Sequence, residues 1–131
     1  MPSTTIDVRT SYTPAQEVAI IEAVQSALVQ AFKIPSNDRS IVLVAHLPHR
    51  MITPPELQQP ERYTVVRIDA FAGRSVDAKR QLYQAIVRHL EPLGIPPNHV
   101  KVCLREMPTE NWGVQGGRAA CDVDLGFQIN V

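Results

Sequence analysis

The second residue of the chain, in MPSTTIDVRT, is the first with unusual chemistry available to it. A small residue in that place lets the initiator methionine be removed. Pro2 then presents a free secondary amine, a base and nucleophile found nowhere else in a protein. In a partly desolvated pocket beside a cation such an amine has a lowered pKa, because both effects disfavour its protonated form. From an α-amino reference of roughly 8, a fall of about one or two units leaves it neutral at pH 7. It can then act as a general base and, once protonated, as a general acid. The plain alternative is a strand-start proline, placed where a missing N–H costs no ladder bond.

Arg74, in FAGRS, is the second candidate. It stands just before a predicted helix, whose free N–H groups and dipole already favour an anion. A guanidinium there adds bidentate recognition of a carboxylate. Its alternative is a surface charge at a helix start. Pro2 and Arg74 become a site only if the fold brings them together.

The elements that must do so repeat. AFKIPSNDRSIVLVAHLP and EPLGIPPNHVKVCLREMP align with Ile34, Pro35 and Asn37 against Ile95, Pro96 and Asn98, and Ile21 and Phe32 against Leu82 and Leu93. Two units follow, about 2–47 and 63–108, with a tail after Pro108. In the first, Thr4, Ile6 and Val8 alternate with Thr5, Asp7 and Arg9, a period-two strand. Thr13, Pro14 and Gln16 supply an N-cap, a first-turn proline and a capping-box partner. Ile21, Val24, Leu28 and Ala31 form a helical stripe ending near Phe32. The dense apolar run from Ile41 to Leu47 reads as a strand covered on both faces.

The second unit has the same order. Tyr63 to Phe71 is a strand with Val66, Ile68 and Ala70 on one face. Ser75 and Asp77 start a helix with the stripe Leu82, Ile86, Leu90 and Leu93, stopped by Gly94. Val100, Val102 and Leu104 are the inward positions of a fourth strand. The fold class is therefore α/β (α+β), a single domain over 1–131 made of tandem β-α-β units with right-handed crossovers. Both form one four-stranded mixed sheet with two helices on one face. The other face keeps apolar side chains with nothing in the chain to cover them, so oligomerisation through it is expected. If the units meet through their first strands, those strands run antiparallel, and Pro2 comes close to Phe71, Ala72, Gly73 and Arg74.

Pro2, the doubled unit and Arg74 together resemble the tautomerase superfamily, most nearly its malonate semialdehyde decarboxylase-like branch. AFKIPSNDR resembles a segment of that branch whose aspartate corresponds to Asp38. AGRS supplies Arg74, matching the arginine that holds the substrate carboxylate, and ENWGVQGGRA puts Trp112 in the pocket wall. Ala72 stands where decarboxylase relatives often carry a second arginine, and Val114 where they carry an aromatic residue. The resemblance implies a homotrimer working without metal or organic cofactor on a small 2-oxo or 3-oxo carboxylic acid. Pro2 would be the acid/base, Arg74 the carboxylate anchor, Asp38 an auxiliary polar group and Trp112 part of the wall. Keto–enol tautomerisation is the leading reaction and decarboxylation or hydration of a malonate semialdehyde-like acid the runner-up. A trimeric binding protein without turnover is the competing class, favoured if Met1 stays on.

Other features point elsewhere or nowhere. Thirteen basic residues balance thirteen acidic ones, with a pI of about 6.9, so nothing attracts a nucleic acid. No apolar run nears the roughly 18 residues needed to cross a membrane, and no secretory signal opens the chain. Cys103 and Cys121 lie in no metal or redox spacing, and a reducing, cytoplasmic setting is the expectation. His46 and His49 straddle a strand end with no third ligand. His89 and His99 read as helix-surface and loop residues. Asp122 and Asp124 read as one face of a late strand. GVQGGR lacks the Lys-Ser/Thr of a phosphate loop.

Overall fold

The structure, a computed structural model, describes residues 2–9 and 11–131. Met1, whose removal the proline chemistry requires, lies outside the described residues. Strand β1 (Ser3–Arg9) leads to helix α1 (Pro14–Phe32) and β2 (Ile41–His46). After the connector come β3 (Thr64–Phe71), α2 (Val76–Leu90) and β4 (Val100–Met107). The sheet order is β2-β1-β3-β4. β1 is parallel to β2, β3 is parallel to β4, and β1 meets β3 antiparallel at the centre. The two first strands do form the seam between the units.

Local chemistry explains the elements. The Thr13 hydroxyl accepts from the Gln16 amide while the Gln16 side chain accepts from the Thr13 amide, so two otherwise orphaned donors of α1 are satisfied. Lys33 ends the helix in the left-handed region at φ 56°. Ser75 caps α2 through the Ala78 amide, and Gly94 turns the chain away at φ 89°. Ile6, Val8, Val66, Ile68 and Ala70 point from the sheet into a core closed by Val24, Leu28, Phe32, Leu82, Ile86 and Leu90. The two helices pack against each other over that face.

Three expectations need correction. Ile20, not Ile21, occupies the buried α1 stripe, and Ile21 is only half-buried. β2 is an edge strand rather than a doubly covered one, with Val42 59% and Val44 37% exposed. Its apolar run reflects an open sheet face, and that face is not purely apolar. Asp7 accepts from His46 Nε2 at 2.7 Å and from Arg67 at 2.9 Å, and Asp69 pairs with Arg105 at 2.7 Å. His99, read as a loop residue, does lie in the connection before β4, where it is buried at the end of the 3-10 turn Pro97–His99. Finally, Asp122 ends the 3-10 turn Ala120–Asp122 and Asp124 accepts from the Gly126 amide in a loop, so no late strand carries them. The tail's short strands are β5 (Gly113–Val114) and β6 (Arg118–Ala119), closed by Gln115, Gly116 and Gly117 with positive φ.

Candidate functional site

The site lies where the sheet pairings converge on the start of β1. Ser3 pairs with Asp69 of β3, and Thr4 pairs with Ile41 of β2 and donates to the Ser40 carbonyl at 3.0 Å. Stepping back along both ladders places buried Pro2 between the end of β3 and the turn that precedes β2. These are the ends that carry Phe71 and Asp38.

Arg74 is held by the turn that leaves β3. Ala72 still donates to Met107 of β4 at 2.9 Å, after which the chain bends at Gly73 with φ 137°. A Cβ at Gly73 would come within 2.8 Å of Ile129 and Asn130, so the close approach of the tail also demands glycine. The bend sends Arg74 inward, where it is only 6% exposed. Its guanidinium lies 4.6 Å from the Phe32 ring centre and 5.9 Å from that of Phe127, and Nη1 donates to the Phe71 carbonyl at 3.2 Å. Nε and Nη2 are buried and have no partner. Burial pulls the guanidinium pKa below its usual value, while the negative charges of Glu106 and Asp38 act in the opposite sense. An orphaned, buried, cationic donor pair of this kind is costly unless an anion completes it.

Asp38 sits in a turn fixed from two sides. Its amide donates to the Pro35 carbonyl at 3.0 Å, and its own carbonyl accepts from Gln25 Nε2 at 2.9 Å. Gln25, 4% exposed on α1, is a buried polar residue satisfied by this contact. Asp38 lines a cavity of about 250 Å³ together with Pro35, Phe71, Val114, Leu125 and Phe127. Arg74 and Trp112 stand one layer behind that lining. Arg74 lies against Phe71 and Phe127, and Trp112 packs edge-on to Phe71 with ring centres 4.9 Å apart.

The fold thus brings Pro2, Asp38 and Arg74 to one end of the sheet, and Trp112 joins them through Phe71. Sequence reasoning missed Glu106, Gln25 and Phe127. Glu106 was legible in principle, because it stands opposite Ala70 in the β3–β4 register. Gln25 could have been noticed as a polar residue inside an apolar stripe. Phe127 carried no local signal. Among the described residues, no group of three His, Cys, Asp or Glu side chains could hold a metal ion.

Comparison with known proteins bears on the same region. Residues 38–115, more than half of the chain, match the family described as tautomerase enzyme. A 45-residue stretch, 34% of this chain and 71% of the relative, is 38% identical to 2-hydroxymuconate tautomerase of Comamonas testosteroni. Malonate semialdehyde decarboxylase superposes with a TM-score of 0.83 at 26% identity, covering 93% of this chain and 99% of that one. The FG41 malonate semialdehyde decarboxylase inhibited by 3-bromopropiolate gives 0.80 at 28% identity over 89% and 92%. Native fused 4-OT, at 18% identity and a TM-score of 0.82 over 92% and 98%, shares the fold. The match runs from the turn before β2 through the whole of the second unit, over more than half of the chain, and it agrees with the doubled β-α-β sheet: this chain belongs to the tautomerase family.

Proposed function

We propose that the protein interconverts the enol and keto forms of a small 2-oxo carboxylic acid, with the Pro2 amine carrying the proton. After loss of Met1, the neutral amine takes the proton from the enol oxygen, and the resulting ammonium returns a proton to carbon. Arg74 holds the carboxylate through Nε and Nη2. Asp38 provides the auxiliary polar group beside it, and Trp112 backs the wall through Phe71. The observation that supports this most is the sheet register, which runs the start of β1 beside the end of β3, three residues before the buried, incompletely satisfied Arg74.

A second reading is decarboxylation or hydration of a malonate semialdehyde-like acid. It is favoured by Asp38 acting on Arg74 and by the likeness to two proteins named for that activity. The working unit would be a homotrimer. The uncovered sheet face supports this, as does a neighbour described as a symmetric trimer, at 27% identity and a TM-score of 0.79. Free Cys103 and Cys121 suit a cytoplasmic setting. No helix among the described residues is long and apolar enough to cross a membrane.

Assaying phenylenolpyruvate, an enolised muconate and malonate semialdehyde side by side separates the two reactions, with Pro2→Ala as the control. Turnover of the enols alone supports tautomerisation. Unchanged rates on every substrate in both Pro2→Ala and Arg74→Ala would remove the site assignment.

A further inference from the structure

The reading of Arg74 as a carboxylate anchor, on which the following rests, meets a physical obstacle. Nε and Nη2 have neither a partner nor solvent access, so no carboxylate can reach them in this conformation. Something must move, and the cover has a definite composition. Phe32, on one side, is fully buried in the core between the two helices and is fixed. Phe127, on the other side, belongs to the tail, is only half-buried, and lines the cavity together with Leu125. Beyond it, Ile129 and Asn130 lie against Gly73, and the Val131 main-chain oxygen accepts from the Ser75 amide at 2.8 Å. That amide sits at the start of α2, where the helix favours negative charge. The tail therefore lays a hydrogen-bond-accepting main-chain oxygen and an aromatic ring over the place where an anion would dock.

We propose that residues 125–131 form a substrate gate, shut in this conformation, that must lift from Gly73–Ser75 before a carboxylate can bind Arg74. The gate then governs which acids enter, because Leu125 and Phe127 form the cavity wall that a bound acid meets when it closes again. Among the described residues, one backbone hydrogen bond, the seat on Gly73, the ring over the guanidinium and the packing of Phe127 and Val131 against the core hold it. A segment outside the sheet and helices, held more by side-chain packing than by backbone hydrogen bonds, opens locally at lower free-energy cost than those elements.

Arginine labelling with phenylglyoxal, read by peptide mass spectrometry on the full chain, tests the gate without reference to turnover. Arg74 should label about tenfold or more slowly than exposed Arg80, as a population opened only part of the time requires. A chain ending at Asp124 should label Arg74 at a rate close to that of Arg80. Phe127→Ala and Gly73→Ala, which remove the ring or wedge the seat, should fall between. Fast labelling of Arg74 in the full chain overturns the proposal. So does unchanged protection in Phe127→Ala and Gly73→Ala when circular dichroism shows both folded. If the shortened chain does not fold, the two point variants decide the matter. A gate confirmed in a chain with no activity on any acid would leave the gate standing and remove the functional reading.

Discussion

The approximate two-fold relation between the units gives the molecule two equivalent sheet ends, and they have been finished differently. At one end the start of β1 lies beside the turn that carries Asp38 and the end of β3, from which the chain bends to Arg74. At the other, the start of β3 meets His99, the end of β1 and the N-terminus of α1. His99 occupies the place of Asp38, but both its ring nitrogens are used, one accepting from the Gln59 amide at 3.1 Å and the other bonded to Asn98 at 2.7 Å. Arg9 there spends Nε and Nη2 on the Met51 carbonyl. Arg74, by contrast, keeps the corresponding pair of donors unsatisfied. The same scaffold thus yields a closed structural end and an end with electrostatic demand left open, and the connector between the units is what fills the closed one.

Substitutions can break that contrast. The largest effect is expected at the open end, where Pro2→Ala should lower kcat/KM by about 10²–10⁴, the usual worth of a positioned acid/base. Arg74→Ala should lower it by about 10–100-fold, mostly through KM, as loss of a charged hydrogen bond implies. Arg9→Ala should leave steady-state rates alone. Next comes a crossed pair. Asp38→Asn should slow turnover with little change in urea unfolding. His99→Leu should cost ~1–3 kcal/mol of stability, by stranding the Gln59 amide, with kcat unchanged. The two caps sharpen the contrast further. Thr13→Ala and Ser75→Ala should each cost ~1 kcal/mol in thermal unfolding, but only Ser75→Ala should alter substrate affinity.

The smallest effect concerns the exposed Glu22–Arg39 pair. The hydrogen bond to Arg39 lowers the Glu22 pKa below its ordinary value. A lowered carboxylate pKa gives stability that is present above the unfolded value and lost as pH falls through the folded one. Glu22→Gln should therefore lower the melting temperature slightly at pH 7 and not at all in strong acid, as differential scanning would register.

Much of the fold was legible because its signals are local. Period-two alternation identified Ile6 and Val8, and capping chemistry located both helix starts to the residue. The β2 error shows where such signals stop. Val42 and Val44 look the same in sequence whether a helix of the chain covers them or they stay on an open face, since apolar patterning does not report what lies against it. The one-residue slip at Ile20 arises because both isoleucines fit a helical stripe, and tertiary packing chooses between them. At the site, Asp38 and Arg74 could be named because turn and helix-start chemistry mark them. Phe127 could not, because its role depends on a tail that folds back more than fifty residues onto Gly73, and nothing in its neighbours encodes that return.

The connector's ties have one more consequence. Met51 is bound by Arg9 and Gln59 by His99, so each end of the linking stretch is anchored to its own unit. Cleavage near Pro54–Pro55 would leave both fragments with a complete strand–helix–strand motif and their own anchor. Two separately expressed pieces, mixed, should then reassemble the native sheet, held by the antiparallel seam and the helix pair in place of a peptide bond.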